Sequence, residues 1–173
     1  MRPQRIILPA LLAISCGTAA SAEFADHPGA APLHSAPSRP KLDTPKARKF
    51  RTQLKEQSAL GPNLSGHYRL VTWGCGSGCL EWAVVDLTNG KVWMGPTQTC
   101  AEPRIDAEGT PRWAESRADS AVVHLYECQM TAETACPESR QDRRHSYRWT
   151  GRKLEDLGID CVGADPGITA GPR

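Results

Sequence analysis

The chain has 173 residues, with 21 Lys and Arg against 19 Asp and Glu. Its formal charge of +2 falls to zero once Arg2 and Arg5 of the opening segment are set aside. That balance argues against a nucleic-acid binder, whose phosphate contacts need a marked basic excess.

The opening "MRPQRIILPALLAISCGTAASAEF" places Arg2 and Arg5 before an apolar run, followed by Ala20-Ser21-Ala22. This is the grammar of a secretory signal peptide over residues 1–22, with the mature chain starting at Glu23. The run is shorter than the roughly 20 residues needed to span a bilayer, and no later stretch approaches that length. Export to the periplasm or medium follows. The alternative is a lipoprotein anchored through Cys16, although Ala13 stands where such signals carry leucine.

Residues 23–44 are rich in Ala, Pro, Ser and His and nearly devoid of large apolar side chains. On composition they form a disordered leader, with His27 and His34 as solvated linker residues rather than metal ligands. One disulfide-bonded domain is expected over 45–161, with a flexible tail over 162–173. In "DTPKARKFRTQLKEQSALGPN", Asp43 or Thr44 can cap a helix, Pro45 suits its first turn and Gly61-Pro62 ends it. Ala47, Phe50, Leu54 and Leu60 fall near one face, so the helix is amphipathic and docks by one stripe.

From Gly66 the texture becomes β. Strands are expected over 67–73, 80–88 and 91–94, the last two joined by Asn89-Gly90 in a type I′ turn. Residues 95–120 carry Pro96, Pro103, Gly109 and Pro111 and read as an irregular excursion anchored by Ile105 and Trp113. "AVVHLYEC" is a further strand, residues 129–144 are a long polar loop, and "HSYRWTGRKLEDLG" holds two strands turning at Thr150-Gly151. The fold class is therefore mainly β with some α: an antiparallel meander of about six strands, one N-terminal helix and disulfide staples. No βαβ unit or internal repeat is present.

Six cysteines follow the signal segment: Cys75, Cys79, Cys100, Cys128, Cys136 and Cys161. An even number in an oxidising compartment implies three disulfides, whose connectivity the residues alone leave open. "TWGCGSGC", residues 72–79, admits four readings. A structural zinc needs a second ligand pair, which is lacking. A thiol-redox site uses C-x-x-C before a helix, whereas here the spacing is longer and a strand follows. Nucleophilic catalysis would require a free thiol at Cys75 or Cys79 and a base such as His67, His124 or His145.

A staple asks least, because Gly74, Gly76 and Gly78 permit the backbone angles of a five-residue ring. Such a ring contributes only about 2 kcal/mol through loop entropy, so its use lies in holding a shape. A pre-ordered loop binds at little entropic cost, and its glycine amides can receive an anionic group. The binding site expected on these grounds comprises Trp73, Gly74, Gly76, Ser77, Gly78, Trp82 and His67. The competing reading puts both tryptophans in the core. No cofactor, metal or catalytic motif is present; "DLTNG" and "DAEGT" lack the terminal glutamate of a calcium loop and read as turns. The envelope-enzyme alternative would use His67 near Cys75, or a carboxylate such as Asp86.

Gly66-His67-Tyr68, the loop 73–79, Val84 to Asp86, Asn89-Gly90, Asp119-Ser120, and Tyr147 with Trp149 together form a pattern. It resembles that of uncharacterised bacterial exported proteins with a GHY strand, a W-G-C-G-x-x-C loop and a VD-x-x-x-G hairpin. The resemblance carries no activity. If the other four cysteines are additions to that pattern, it implies Cys75 with Cys79 first, then Cys128 with Cys136 and Cys100 with Cys161. In layout alone, the chain is similar to periplasmic lysozyme inhibitors, which present a short disulfide-bounded loop. The resulting expectation is a non-catalytic, inhibitor-like envelope protein whose partner is an envelope protein or cell-wall fragment. A purely structural component is the remaining alternative, and oligomeric state is left open.

Overall fold

A computed structural model describes residues 22–105, 109–128, 136 and 142–163. The expected signal peptide apart from Ala22, most of the expected polar loop over 129–144, and the expected tail beyond Gly163 lie outside the described residues. The protein is mainly β, as expected, and is built in three layers.

Thr44 caps α1 (Pro45–Lys49), its hydroxyl accepting from the Ala47 amide at 3.1 Å, with Pro45 in the first turn. Phe50 leaves helical geometry (φ −102°, ψ 25°) and α2 (Arg51–Ser58) continues from it, so the single expected helix is two short ones. Ala47 and Leu54 are buried and Phe50 packs with them. Leu60 is 72 % exposed, because it lies past the last helical turn and leaves the stripe.

The middle layer is the antiparallel meander β1 (Tyr68–Gly76), β2 (Cys79–Asp86) and β3 (Val92–Met94). In β2 every residue after Cys79 is buried. Leu80, Trp82 and Val84 face one way, while Glu81, Ala83 and Val85 face the other. A strand covered on both faces loses the alternation of an exposed one and reads as a near-continuous apolar run. On the helical side Val71, Trp73, Ala83, Val85 and Leu87 meet Ala47 and Leu54. Glu81 is tolerated there because Lys46 Nζ lies 2.6 Å from Oε2 and the Thr97 hydroxyl donates to Oε1 at 2.8 Å.

The outer layer is a second meander: β6 (Ala114–Ser116), β7 (Val122–Glu127), β8 (Asp142–Trp149) and β9 (Leu154–Val162). Between the two sheets Leu64, Leu70, Leu80, Trp82 and Val84 pack against Val123, Leu125 and Trp149. The excursion over 95–120 contributes β6 and a small hairpin of β4 (Arg104–Ile105) and β5 (Pro111–Arg112). Trp113 packs on the core as expected, whereas Ile105 is 46 % exposed and anchors nothing.

Residues 23–44 overturn the expectation of a disordered leader. A 3-10 turn over Phe24–Asp26 sets Phe24 against His124 on the outer sheet, with ring centroids 4.6 Å apart. The chain then runs round the sandwich to the helices. Backbone bonds join Gly29 N to Asp119 O, Leu33 N to Gly66 O, Ser38 N to Leu87 O and Lys41 N to Gly90 O, at 2.7–3.1 Å. Leu33 and Leu42 pack on the helix-side core. Composition measures apolar side chains, and this segment is held largely by its backbone.

The β2–β3 hairpin is present but is not a type I′ turn. Ser65 is the one non-glycine with positive φ among the described residues, so Asn89 does not adopt the required angle. Instead the Gly90 amide donates to Asp86 O, and the Asp86 carboxylate accepts from Thr88 and Asn89. Gly90 serves a close approach: at φ +77° a Cβ there would lie 2.1 Å from Arg39 O.

The disulfides are Cys75–Cys79, Cys100–Cys128 and Cys136–Cys161. The first agrees with expectation and the other two correct it. Ala101 pairs with Glu127 in an antiparallel bridge, which sets Cys100 beside Cys128. Backbone pairing, rather than nearness in sequence, chose Cys128 as the partner of Cys100. No helix among the described residues is long and apolar enough to cross a membrane.

Candidate functional site

The 73–79 loop is the tip of the β1–β2 hairpin. Gly76 pairs with Cys79 across a two-residue turn of Ser77 and Gly78, while Gly74 pairs with Leu80, so Cys75 is the extra residue of a bulge. The Cys75–Cys79 bridge spans that bulge with 5.1 Å between Cα atoms. Gly76 (φ +133°) and Gly78 (φ +62°) adopt angles closed to most residues, and Gly74 does not. At the base of the tip the Ala101 amide donates to Gly78 O, and Leu80 and Gln98 exchange two backbone bonds at 2.8–2.9 Å. Cys100–Cys128 ties this supporting segment to the β7 end. The tip is thus held covalently and at its base, while Gly74, Cys75, Gly76 and Ser77 are exposed.

The remaining expected site residues lie elsewhere. Trp73 is 9 % exposed and packs on Phe50 at 4.7 Å in the helix-side core. Trp82 is 8 % exposed and belongs to the intersheet core. Opposite sides of one sheet receive them because Trp82 opposes Thr72 while Trp73 opposes Glu81. They do not bracket the loop as contact residues. His67 sits at the other end of β1, on the order of 30 Å from Gly76 at the usual rise per residue. Its Nδ1 lies 3.1 Å from Ala31 O and its ring lies against Tyr68. With that separation, and both loop cysteines in a disulfide, neither Cys75 nor Cys79 is a thiolate served by His67.

Two features escaped sequence reasoning. One is a cleft of about 490 Å³ between β3 with its following segment and the outer sheet. Trp82, Trp93, Leu125, Trp149 and Leu154 supply its apolar walls. Gln98 and Glu127 lie toward one end, and Arg152 and Lys153, on the β8–β9 turn, form the other. The four-stranded sheet is wider than the three-stranded one, so its β8–β9 half is only partly covered. The signal in sequence was the same-face pair Tyr147 and Trp149, which opposite strands had to complete.

The second is a polar cluster on the same face. His145 Nδ1 lies 3.1 Å from Glu127 Oε1 and 2.8 Å from the Tyr147 hydroxyl, while Nε2 lies 3.0 Å from Asp156 Oδ1. Burial would lower the imidazole pKa, but the hydrogen bonds to Glu127 and Asp156 outweigh it and raise it. Glu127 is lowered by its bond to His145, and burial pushes the Tyr147 phenol up to about 12. With His145 protonated the cluster is a compensated ion network. Among the described residues no group of three or more His, Cys, Asp or Glu side chains is arranged to hold a metal.

Compared with family models, with curated proteins and with solved structures, the chain matches none.

Proposed function

We propose that this is an exported, non-catalytic binding protein that presents the tip of its 73–79 disulfide loop to an envelope protein or cell-wall fragment. One observation carries the reading: the most exposed turn of the middle sheet is the one closed by a covalent ring. A five-residue ring stabilises the fold by only about 2 kcal/mol, so its main effect is to hold the tip in one conformation before any contact is made. Nothing lies within 4 Å of a Cβ built at Gly74 or Gly76, which leaves the tip open to a partner. The contact residues are then Gly74, Gly76, Ser77 and Gly78, with Trp73 and Trp82 as the buried footing. Three disulfides favour an oxidising compartment, and the 1–22 segment favours free export to the periplasm or medium over anchoring through Cys16.

The test is to immobilise the wild-type protein and a Ser77→Trp variant and compare what each captures from an envelope extract. Ser77 is exposed and lacks the positive φ of its glycine neighbours, so the substitution leaves the melting temperature unchanged. Loss of a specific captured species supports the loop as the contact. Identical capture by both proteins overturns it.

A further inference from the structure

We propose that the cleft between the two sheets is a binding site for an aliphatic carboxylate, a single-chain amphiphile whose tail lies in the cleft and whose head sits at the 150–153 turn. This inference goes beyond the loop reading and does not depend on it.

The volume, about 490 Å³, falls in the roughly 300–1,000 Å³ range of small-molecule sites. Along β8, Arg143 opposite Glu127 and Trp149 beside the turn are six residues apart, or about 20 Å. The cleft is therefore elongated, with polar groups at both ends and apolar side chains between.

The head group follows from charge. Arg152 and Lys153 stand at the turn end of the cleft, and Lys91 Nζ lies 4.7 Å from the Trp93 ring centroid. Arg152 and Lys91 have no acidic partner among the described residues. Lys153 pairs at 3.5 Å with Glu155, which already pairs with Arg148 at 2.5 Å. Two cations at one apolar mouth, a third over the Trp93 ring of its wall, and one shared carboxylate select an anion, and a guanidinium receives a carboxylate bidentately. At the opposite end Glu127 is compensated by Arg143 and His145, so it attracts no second cation.

The tail follows from what covers the aromatic rings. A saccharide or nucleobase requires free ring faces for stacking. Here a Cβ on Gly95 would fall 2.0 Å from the Trp82 ring, so that backbone lies directly on the indole. Lys91 lies over Trp93, Tyr147 stacks on His145 at 4.2 Å, and Trp149 is 4 % exposed beneath the edges of Tyr68 and Trp93. The walls offer ring edges with Leu125 and Leu154, surfaces suited to methylene groups.

The experiment titrates the full mature protein with decanoate, following tryptophan emission and calorimetry, with decyltrimethylammonium and chitotriose as comparisons. Decanoate should saturate one site, the cationic amphiphile should bind at least tenfold more weakly, and chitotriose should not bind. The double variant Arg152→Glu, Lys153→Glu should weaken decanoate at least tenfold; both positions are exposed, so folding is preserved. Leu154→Trp should fill the cleft and abolish binding with the melting temperature retained. Equal binding of the two amphiphiles, indifference to the charge reversal, or preference for chitotriose overturns the proposal. Ser77→Trp must leave decanoate binding unchanged, which separates failure of this site from failure of the loop.

Discussion

Acidification from pH 6.5 to 4 should cost the fold up to about 3 kcal/mol through one side chain, His124. The imidazole is 0 % exposed in β7, beneath the Phe24 ring of the N-terminal segment. Its Nδ1 lies 3.0 Å from Ser146 Oγ, and its Nε2 has no hydrogen-bond partner among the described residues. Protonation would bury a second N–H without an acceptor and add a charge near Arg144. Burial first, and the Arg144 guanidinium second, hold the pKa down from 6.5 to about 4, with Glu23 and Asp160 partly offsetting them. Because the folded pKa is depressed, the unfolded chain binds the extra proton first, and stability falls as pH drops between the two values. At about 1.36 kcal/mol per pH unit the loss amounts to about 3 kcal/mol. His145 has the opposite sign. Its raised pKa contributes stability that is complete below about 6.5 and is lost as pH rises through the folded value. Urea unfolding between pH 4 and 8 should therefore show a maximum near pH 6.5. His145→Gln should flatten the alkaline limb and His124→Gln the acid limb. An NMR titration that places His124 near 6.5, or an acid limb unchanged in His124→Gln, would refute the reasoning.

Two further outcomes test the architecture. Gly90→Ala should destabilise the protein by about 1–3 kcal/mol in denaturant melts, since its Cβ meets Arg39 O and its φ is positive; an unchanged midpoint would mean that the N-terminal segment does not dock there. Cys100→Ser with Cys128→Ser, or Cys136→Ser with Cys161→Ser, should each cost about 3.5 kcal/mol by loop entropy, against about 2 for Cys75→Ser with Cys79→Ser. Non-reducing peptide mapping that joined Cys128 to Cys136 would contradict the strand pairing behind this ordering.

The elements most legible in sequence were those with local causes. Thr44-Pro45 announced the helix start because a cap and a fixed φ act within one turn. The strands of "HYRLVTW" and "LEWAVV" announced themselves by aromatic and branched content. Gly76 and Gly78 announced a tight ring because few other residues take those angles. The Asn89-Gly90 hairpin was legible as a reversal but not as a turn type, since Asp86 and the docked N-terminal segment set its shape from outside the dipeptide.

By itself the sequence determined the class: a mainly β, disulfide-bonded chain with a helix before the sheet and a glycine-closed ring at a turn. Each of these depends on residues within a few positions of one another. The tertiary structure decided the rest, because it depends on which distant strands meet. Pairing of residues 101 and 127 joined Cys100 to Cys128, and residue register sent Trp73 and Trp82 to opposite cores rather than to the loop. A four-stranded sheet facing a three-stranded one opened the cleft between Trp93 and Leu154. A segment too polar to build a core was ordered by the backbone groups of the strands it crosses.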